Sequence, residues 1–203
     1  MHVHFVGTSL TEGYGLPSPE EAFPGRVQSF ADSAGYPVEV VNAGVSGETS
    51  SGTLSRIDWL LSRPVDILVL EVGANDGLRG VDPAELERNL RAIVEVASAS
   101  RPDASILLLA MEAPPNLGES YRTEFRNVFQ RVGEDPAIVP GPFLLEEVAA
   151  VWELNQADGI HPTAAGHEIV ARTVWTVLEP LIAEAAAGRT SESNESERST
   201  SGG

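Results

Sequence analysis

The octapeptide DILVLEVG, Asp66 to Gly73, decides the fold. Ile67 to Leu70 form an unbroken apolar run, as expected of a central strand in a parallel sheet, covered on both faces. Working outward, HVHFVG (His2–Gly7), VEVVNAG (Val38–Gly44), SILLLAME (Ser105–Glu112) and a weaker AIVPG (Ala137–Gly141) supply four more strands. Helix-period segments separate them. After Asp82-Pro83, a cap residue followed by a first-turn proline, Leu86, Leu90, Ile93, Val94 and Ala97 form one apolar face. Leu54, Ile57 and Leu61 repeat the pattern, as do Phe125, Val128, Phe129 and Val132. From Pro162 a final helix is expected, with Ile169, Val170, Thr173, Val174, Val177 and Leu181 inward. Such alternation predicts a three-layer, doubly wound α/β/α domain around a five-stranded, mainly parallel sheet. Ligands of such sheets bind at the carboxyl ends of the strands.

Composition narrows the function. The chain has 203 residues, enough for one domain, and residues 1–187 carry the alternation. From Gly188 to Gly203 no large apolar residue occurs, which predicts a disordered acidic, Ser-rich tail. Cysteine is absent, so thiolate metal sites and disulfides are excluded. The net charge is −17 and all 13 basic residues are arginine. A surface of that sign repels nucleic acid and anionic membrane. Two readings account for it: adaptation to high salt, where screening weakens carboxylate repulsion, and an arginine-favouring genome behind an ordinary acidic enzyme. No apolar run is long enough to span a bilayer, and the N-terminus lacks a basic leader. The expected location is therefore cytoplasmic, or periplasmic or secreted if a leader has been removed.

The chemistry-bearing residues sit at the expected strand ends. Ser9 lies two residues past the first strand, in FVGTSLTEGYG (Phe5–Gly15). In ADGIHPTAAGH, Asp158 and His161 are three apart, a spacing that lets a carboxylate fix the imidazole tautomer while the other ring nitrogen faces a hydroxyl. Asn75 closes EVGANDG, and Gly44 in VNAGVSGETSSG can present a backbone N–H at the same height. With the Ser9 N–H they would make a three-donor oxyanion hole.

These four blocks resemble the SGNH, or GDSL-type, serine hydrolases, and within them most nearly the bacterial thioesterase I, lysophospholipase and arylesterase group. The likeness runs from FVGTSLTEGYG through NAGVSGETS and VLEVGANDGLRG to DGIHP. It implies the flavodoxin-like SGNH fold and cleavage of carboxylic esters or thioesters through an acyl-enzyme. Ser9 is then nucleophile, His161 base and acid, and Asp158 its orienter, with the oxyanion hole at Ser9, Gly44 and Asn75. No metal or organic cofactor is required. The partner is a small acyl ester or thioester, without nucleic acid or stable membrane insertion.

Thr8 departs from the family's Gly-Asp-Ser-Leu. Its hydroxyl can brace the turn through a local side-chain to backbone bond; the contrary reading is a relative disabled at this position. Ser46 in GVSGE is a rival nucleophile, but Glu48 spoils a Gly-x-Ser-x-Gly elbow. His167 lies six residues from His161 along the expected helix, on another face. His2 and His4 share a strand face without an evident third metal ligand. Leu78, Pro114, Pro115 and Leu117 are expected to wall an acyl site. A carbohydrate-ester deacetylase would share the triad but need polar loops. A nucleotide-binding module would need a phosphate loop, and a chain without lysine cannot supply a P-loop.

Overall fold

The computed structural model describes the chain from Met1 to Thr200, and from residue 189 onward only its backbone. The expected tail at 188–203 thus lies, Gly188 apart, outside the residues whose side chains are described. The five strands are β1 (His2–Gly7), β2 (Glu39–Gly44), β3 (Ile67–Glu71), β4 (Ser105–Ala110) and β5 (Ile138–Phe143). They form one parallel sheet in the order β2-β1-β3-β4-β5. Every residue of β3 is buried, as its continuous apolar run requires. Pro140, which has no N–H to give, is tolerated because β5 is an edge strand.

Among the described residues seven α-helices accompany the sheet: α1 (Ser9–Glu12), α2 (Phe23–Ala34), α3 (Ser50–Leu60), α4 (Ala74–Arg79), α5 (Pro83–Ser100), α6 (Glu119–Gly133) and α7 (Ala164–Thr200). Helices α2 and α7 pack together on one side, and α3, α5 and α6 on the other. The α5 start is the expected one, with the Asp82 carboxylate accepting from the Ala84 N–H at 2.9 Å and Pro83 following. Its apolar face and that of α6 are buried residue for residue as expected. In α3, Ile57 is buried and Leu54 packs partly buried against the core, with Thr53 and Leu60 also buried.

Two expectations for α7 need correction. It begins at Ala164, with the Thr163 hydroxyl accepting from the Gly166 N–H, so Pro162 precedes the helix. Its buried stripe is Val170, Val174, Leu178 and Ile182, while Ile169, Val177 and Leu181 are only partly buried. Val170 and Val174 are thus inward as expected, and from there the buried stripe runs on to Leu178 and Ile182 rather than to Val177 and Leu181.

Helix α2 escaped the pattern because its N-terminus carries no capping side chain of its own. The cap comes from α7: the Phe23 N–H donates to His167 Nδ1 at 3.1 Å. Burial pushes the His167 imidazole down to about 4, so it stays a neutral acceptor.

The strand order places the site. Chain progression reverses between β1 and β3, and a crevice opens at that switch point beyond their carboxyl ends. Ser9 follows β1 and Asn75 follows β3.

Candidate active site

Residue Gly7 ends β1, in register with Gly44 of β2 and Glu71 of β3. Thr8 then takes an extended conformation and caps the single turn of α1, its hydroxyl accepting from the Leu10 N–H at 3.5 Å. Ser9 is therefore the first residue of a helix, where a backbone N–H has no intrahelical partner. Its Oγ lies 2.9 Å from His161 Nε2, and His161 Nδ1 lies 2.7 Å from Asp158 Oδ2. The other Asp158 oxygen accepts from the backbone N–H groups of Ile160 and His161, at 2.9 and 3.0 Å. The bond to the imidazole and these two N–H bonds hold the Asp158 carboxyl down at about 2.

The loop carrying this pair is tied down by Gln156. Its N–H donates to the His161 carbonyl at 2.7 Å, and its carboxamide donates to the carbonyls of Tyr14 and Pro162 at 2.8 and 2.9 Å. The Tyr14 ring packs on the His161 ring at 4.6 Å between centroids. Neither residue stood out in the sequence.

Asn75 and Gly44 fare differently. Asn75 lies in the first turn of α4 rather than in an open turn, behind Gly73, whose φ of 113° calls for glycine. Its carboxamide gives one N–H to the Glu48 carbonyl at 3.0 Å, which leaves the second free to face the cavity that Asn75 shares with Ser9. The Gly44 N–H is engaged by Asn42 Oδ1 at 3.0 Å. Gly44 backs onto α1 so closely that a Cβ there would come within 2.7 Å of the Glu12 Cα.

A cavity of about 460 Å³ opens at Ser9. It follows the strand ends from Ser9 after β1, past Asn75 and Leu78 after β3 and Pro114 and Pro115 after β4, to Phe143 at the end of β5. Three strand spacings of about 4.8 Å make that a reach of roughly 14 Å. Leu78, Pro114 and Pro115 line it as expected, but Leu117 does not. Its side chain turns instead toward Gly80, 3.7 Å from where a Cβ would stand. Met111, Leu145 and Ile160 supply apolar wall that the loop sequences did not reveal, and Glu112 and Arg122 add a charged edge.

Comparison with known proteins supplies the family. Residues 5–169 match the GDSL-like lipase/acylhydrolase family. The chain belongs to that family. It is 39% identical to Esterase TesA of Pseudomonas aeruginosa over 178 residues, covering 87% of each chain. It is 34% identical to the Thioesterase 1/protease 1/lysophospholipase L1 of Escherichia coli K12, covering 87% of this chain and 83% of that one. The crystal structure of TesA superposes with a TM-score of 0.84 at 37% identity, covering 89% of this chain and 99% of that one. The fold is thus that of the SGNH hydrolases, and the chain is a carboxylic ester hydrolase.

Within this GDSL-like hydrolase the rival residues sit apart from Ser9 and His161. Ser46 is exposed and bonded through both its N–H and its hydroxyl to the Glu12 carboxylate. His167 is wholly buried as the α2 cap. His4 is buried on β1, where desolvation lowers its pKa below the usual histidine range. Among the described residues no group of three candidate ligands could hold a metal ion, and no helix is long and apolar enough to cross a membrane.

Thr8 holds a second surprise. Its N–H donates to Glu71 Oε2 at 2.7 Å, and its hydroxyl faces both carboxylate oxygens at 3.0 Å. Thr11 adds its hydroxyl at 2.9 Å and its N–H at 3.3 Å. Glu71 is 1% exposed, and burial pushes its carboxyl up to about 7 against the pull of those four donors. In the sequence Glu71 passed for one residue of a strand; the only signal was a carboxylate interrupting the apolar run Ile67–Val72.

Proposed function

We propose that this hydrolase cleaves esters or thioesters with an apolar acyl chain through a Ser9-His161-Asp158 triad. The observation that carries the reading is the continuous chain of contacts from Asp158 Oδ2 through His161 to Ser9 Oγ, at 2.7 and 2.9 Å, beside an apolar cavity. Ser9 Oγ attacks the carbonyl carbon while His161 Nε2 takes the hydroxyl proton. Asp158 fixes the tautomer that leaves Nε2 free to accept and stabilises the imidazolium that forms. The carbonyl oxygen becomes an oxyanion, met by the Ser9 N–H and the free N–H of Asn75. Gly44 contributes as a third donor once its N–H leaves Asn42 Oδ1 for the oxyanion. The tetrahedral intermediate collapses, and the alcohol or thiol leaves with the proton from His161. Water, deprotonated by the same imidazole, then releases the acid from Ser9.

The acyl chain lies along the cavity toward β5, over Leu78, Pro114 and Pro115. The predominantly apolar lining favours this over a sugar ester, whose hydroxyl groups need polar partners. The names carried by relatives, esterase and thioesterase/lysophospholipase, support the same substrate class. An alkyl phosphonate with a good leaving group tests the assignment: we expect one covalent adduct, on the peptide containing Ser9. An adduct on the Ser46 peptide instead would overturn it.

A further inference from the structure

We propose that Glu71 is a positioning residue for the nucleophile: from the central strand its carboxylate gathers Thr8 and Thr11, on either side of Ser9, and fixes the turn that presents Oγ to His161. The inference rests on the reading of Ser9 as nucleophile. A one-turn helix cannot hold itself, because nucleating a turn fixes several dihedrals for little hydrogen bonding. Yet a reacting hydroxyl must be held within a fraction of an ångström of its base. Helix α1 therefore needs an external clamp, and Glu71 supplies four bonds to it from β3.

The position is costly unless it does something. A buried carboxylate is expensive without a counter-charge, and among the described residues the hydrogen bonds to Glu71 come from Thr8 and Thr11. Gly7 is shaped around the clamp: a Cβ there would stand 2.6 Å from Glu71 Oε2. The residues Gly7, Thr8 and Thr11 thus form one unit with Glu71, and Ser9 sits in its middle. Glu71 does not line the Ser9 cavity, so it acts through α1 and not on substrate.

The test compares wild type with Glu71→Gln, whose carboxamide is isosteric but has one acceptor oxygen in place of two. The Thr8 N–H and both Thr11 donors converge on Oε2, while the Thr8 hydroxyl spans both oxygens. The N–H₂ group therefore meets either that hydroxyl or the other three donors. Turnover of p-nitrophenyl butyrate and the backbone NMR resonances of Ser9 are measured on folded protein. We expect kcat to fall by about tenfold or more with KM within about twofold, the signature of lost transition-state geometry, together with shifted Ser9 resonances. A folded variant with wild-type kcat overturns the proposal. Should Glu71→Gln fail to fold, Thr11→Val removes one hydroxyl donor and carries the same test, with a kcat loss of about threefold or more expected at constant KM. Unchanged kcat there overturns it too. If wild type shows no turnover dependent on Ser9, the reaction assignment falls, and the Ser9 resonances alone decide: shifted by Glu71→Gln they support the clamp, unchanged they refute it.

Discussion

Two carboxylates reach Ser9 through its neighbours, Asp158 by way of His161 and Glu71 by way of Thr8 and Thr11, and they differ in their physics. Asp158 stands on a loop, 39% exposed at its side chain, and three hydrogen bonds hold its carboxyl down at about 2. Glu71 stands on the central strand, sealed from water, and burial pushes it up to about 7 despite four donors. Hydrogen bonding to the charged form wins in the first case and desolvation wins in the second. In the proposed mechanism the loop side serves proton transfer, where the imidazole must turn over its charge in every cycle. In the same proposal the sheet side serves placement, where nothing should move.

The largest effect expected on this contrast comes from the loop. Asp158→Asn keeps the shape but removes the acceptor that fixes the His161 tautomer, so kcat is expected to fall by ~10²–10⁴-fold with little change in KM. Steady-state kinetics on one ester checks it, and a loss below tenfold would erase the difference between the two sides.

The next sharpens the buried side. The folded-state pKa of Glu71 is raised from 4.5 to about 7, so the folded protein binds the extra proton in that window. Its contribution to stability therefore falls as pH rises from 4.5 to 7. His167 is lowered from 6.5 to about 4, so its contribution is lost as pH falls through that window. Each group is limited to about 1.4 kcal/mol per pH unit, and between 4.5 and 6.5 the two slopes oppose each other. Denaturant titration from pH 4 to 8 should show Glu71→Gln gaining stability with rising pH, relative to wild type, across that range. His167→Leu should show the reverse slope and an overall loss of about 1–3 kcal/mol, because the Phe23 N–H is left without its acceptor.

How far the site was legible in the sequence follows from distance along the chain. Asp158 and His161 are three residues apart, and Ser9, Asn75 and Gly44 each close or follow an apolar run, so local pattern was enough to raise them as candidates. The Glu71 clamp joins residues 63 and 60 positions apart, and the His167 cap joins residues 144 apart. No local period records either pairing, which is why α2 and the clamp were missed together. Strands were legible because continuous apolar runs survive only between two covered faces. Leu117 failed as a wall residue because loop composition says nothing about the direction a side chain takes.

Two smaller effects complete the comparison. Leu78→Ala should lower kcat/KM for octanoyl esters by about fivefold while leaving acetyl esters nearly unchanged, since only a longer chain covers that side chain. An ester series checks it, and an equal loss for both would detach Leu78 from the acyl site. Salt should matter least at the site and more at the surface. At −17 the chain is expected to gain stability between low and molar salt as repulsion is screened, while the buried Glu71 clamp stays insensitive. Thermal unfolding of wild type across that range measures it, with a flat or falling profile the contrary result.

The most direct measurement is hydrolysis of p-nitrophenyl esters, from acetate to dodecanoate, by wild type and Ser9→Ala. We expect turnover by wild type with a chain-length optimum set by the cavity, and its disappearance in Ser9→Ala with the fold intact. Turnover that survives in Ser9→Ala would contradict the assignment of the nucleophile.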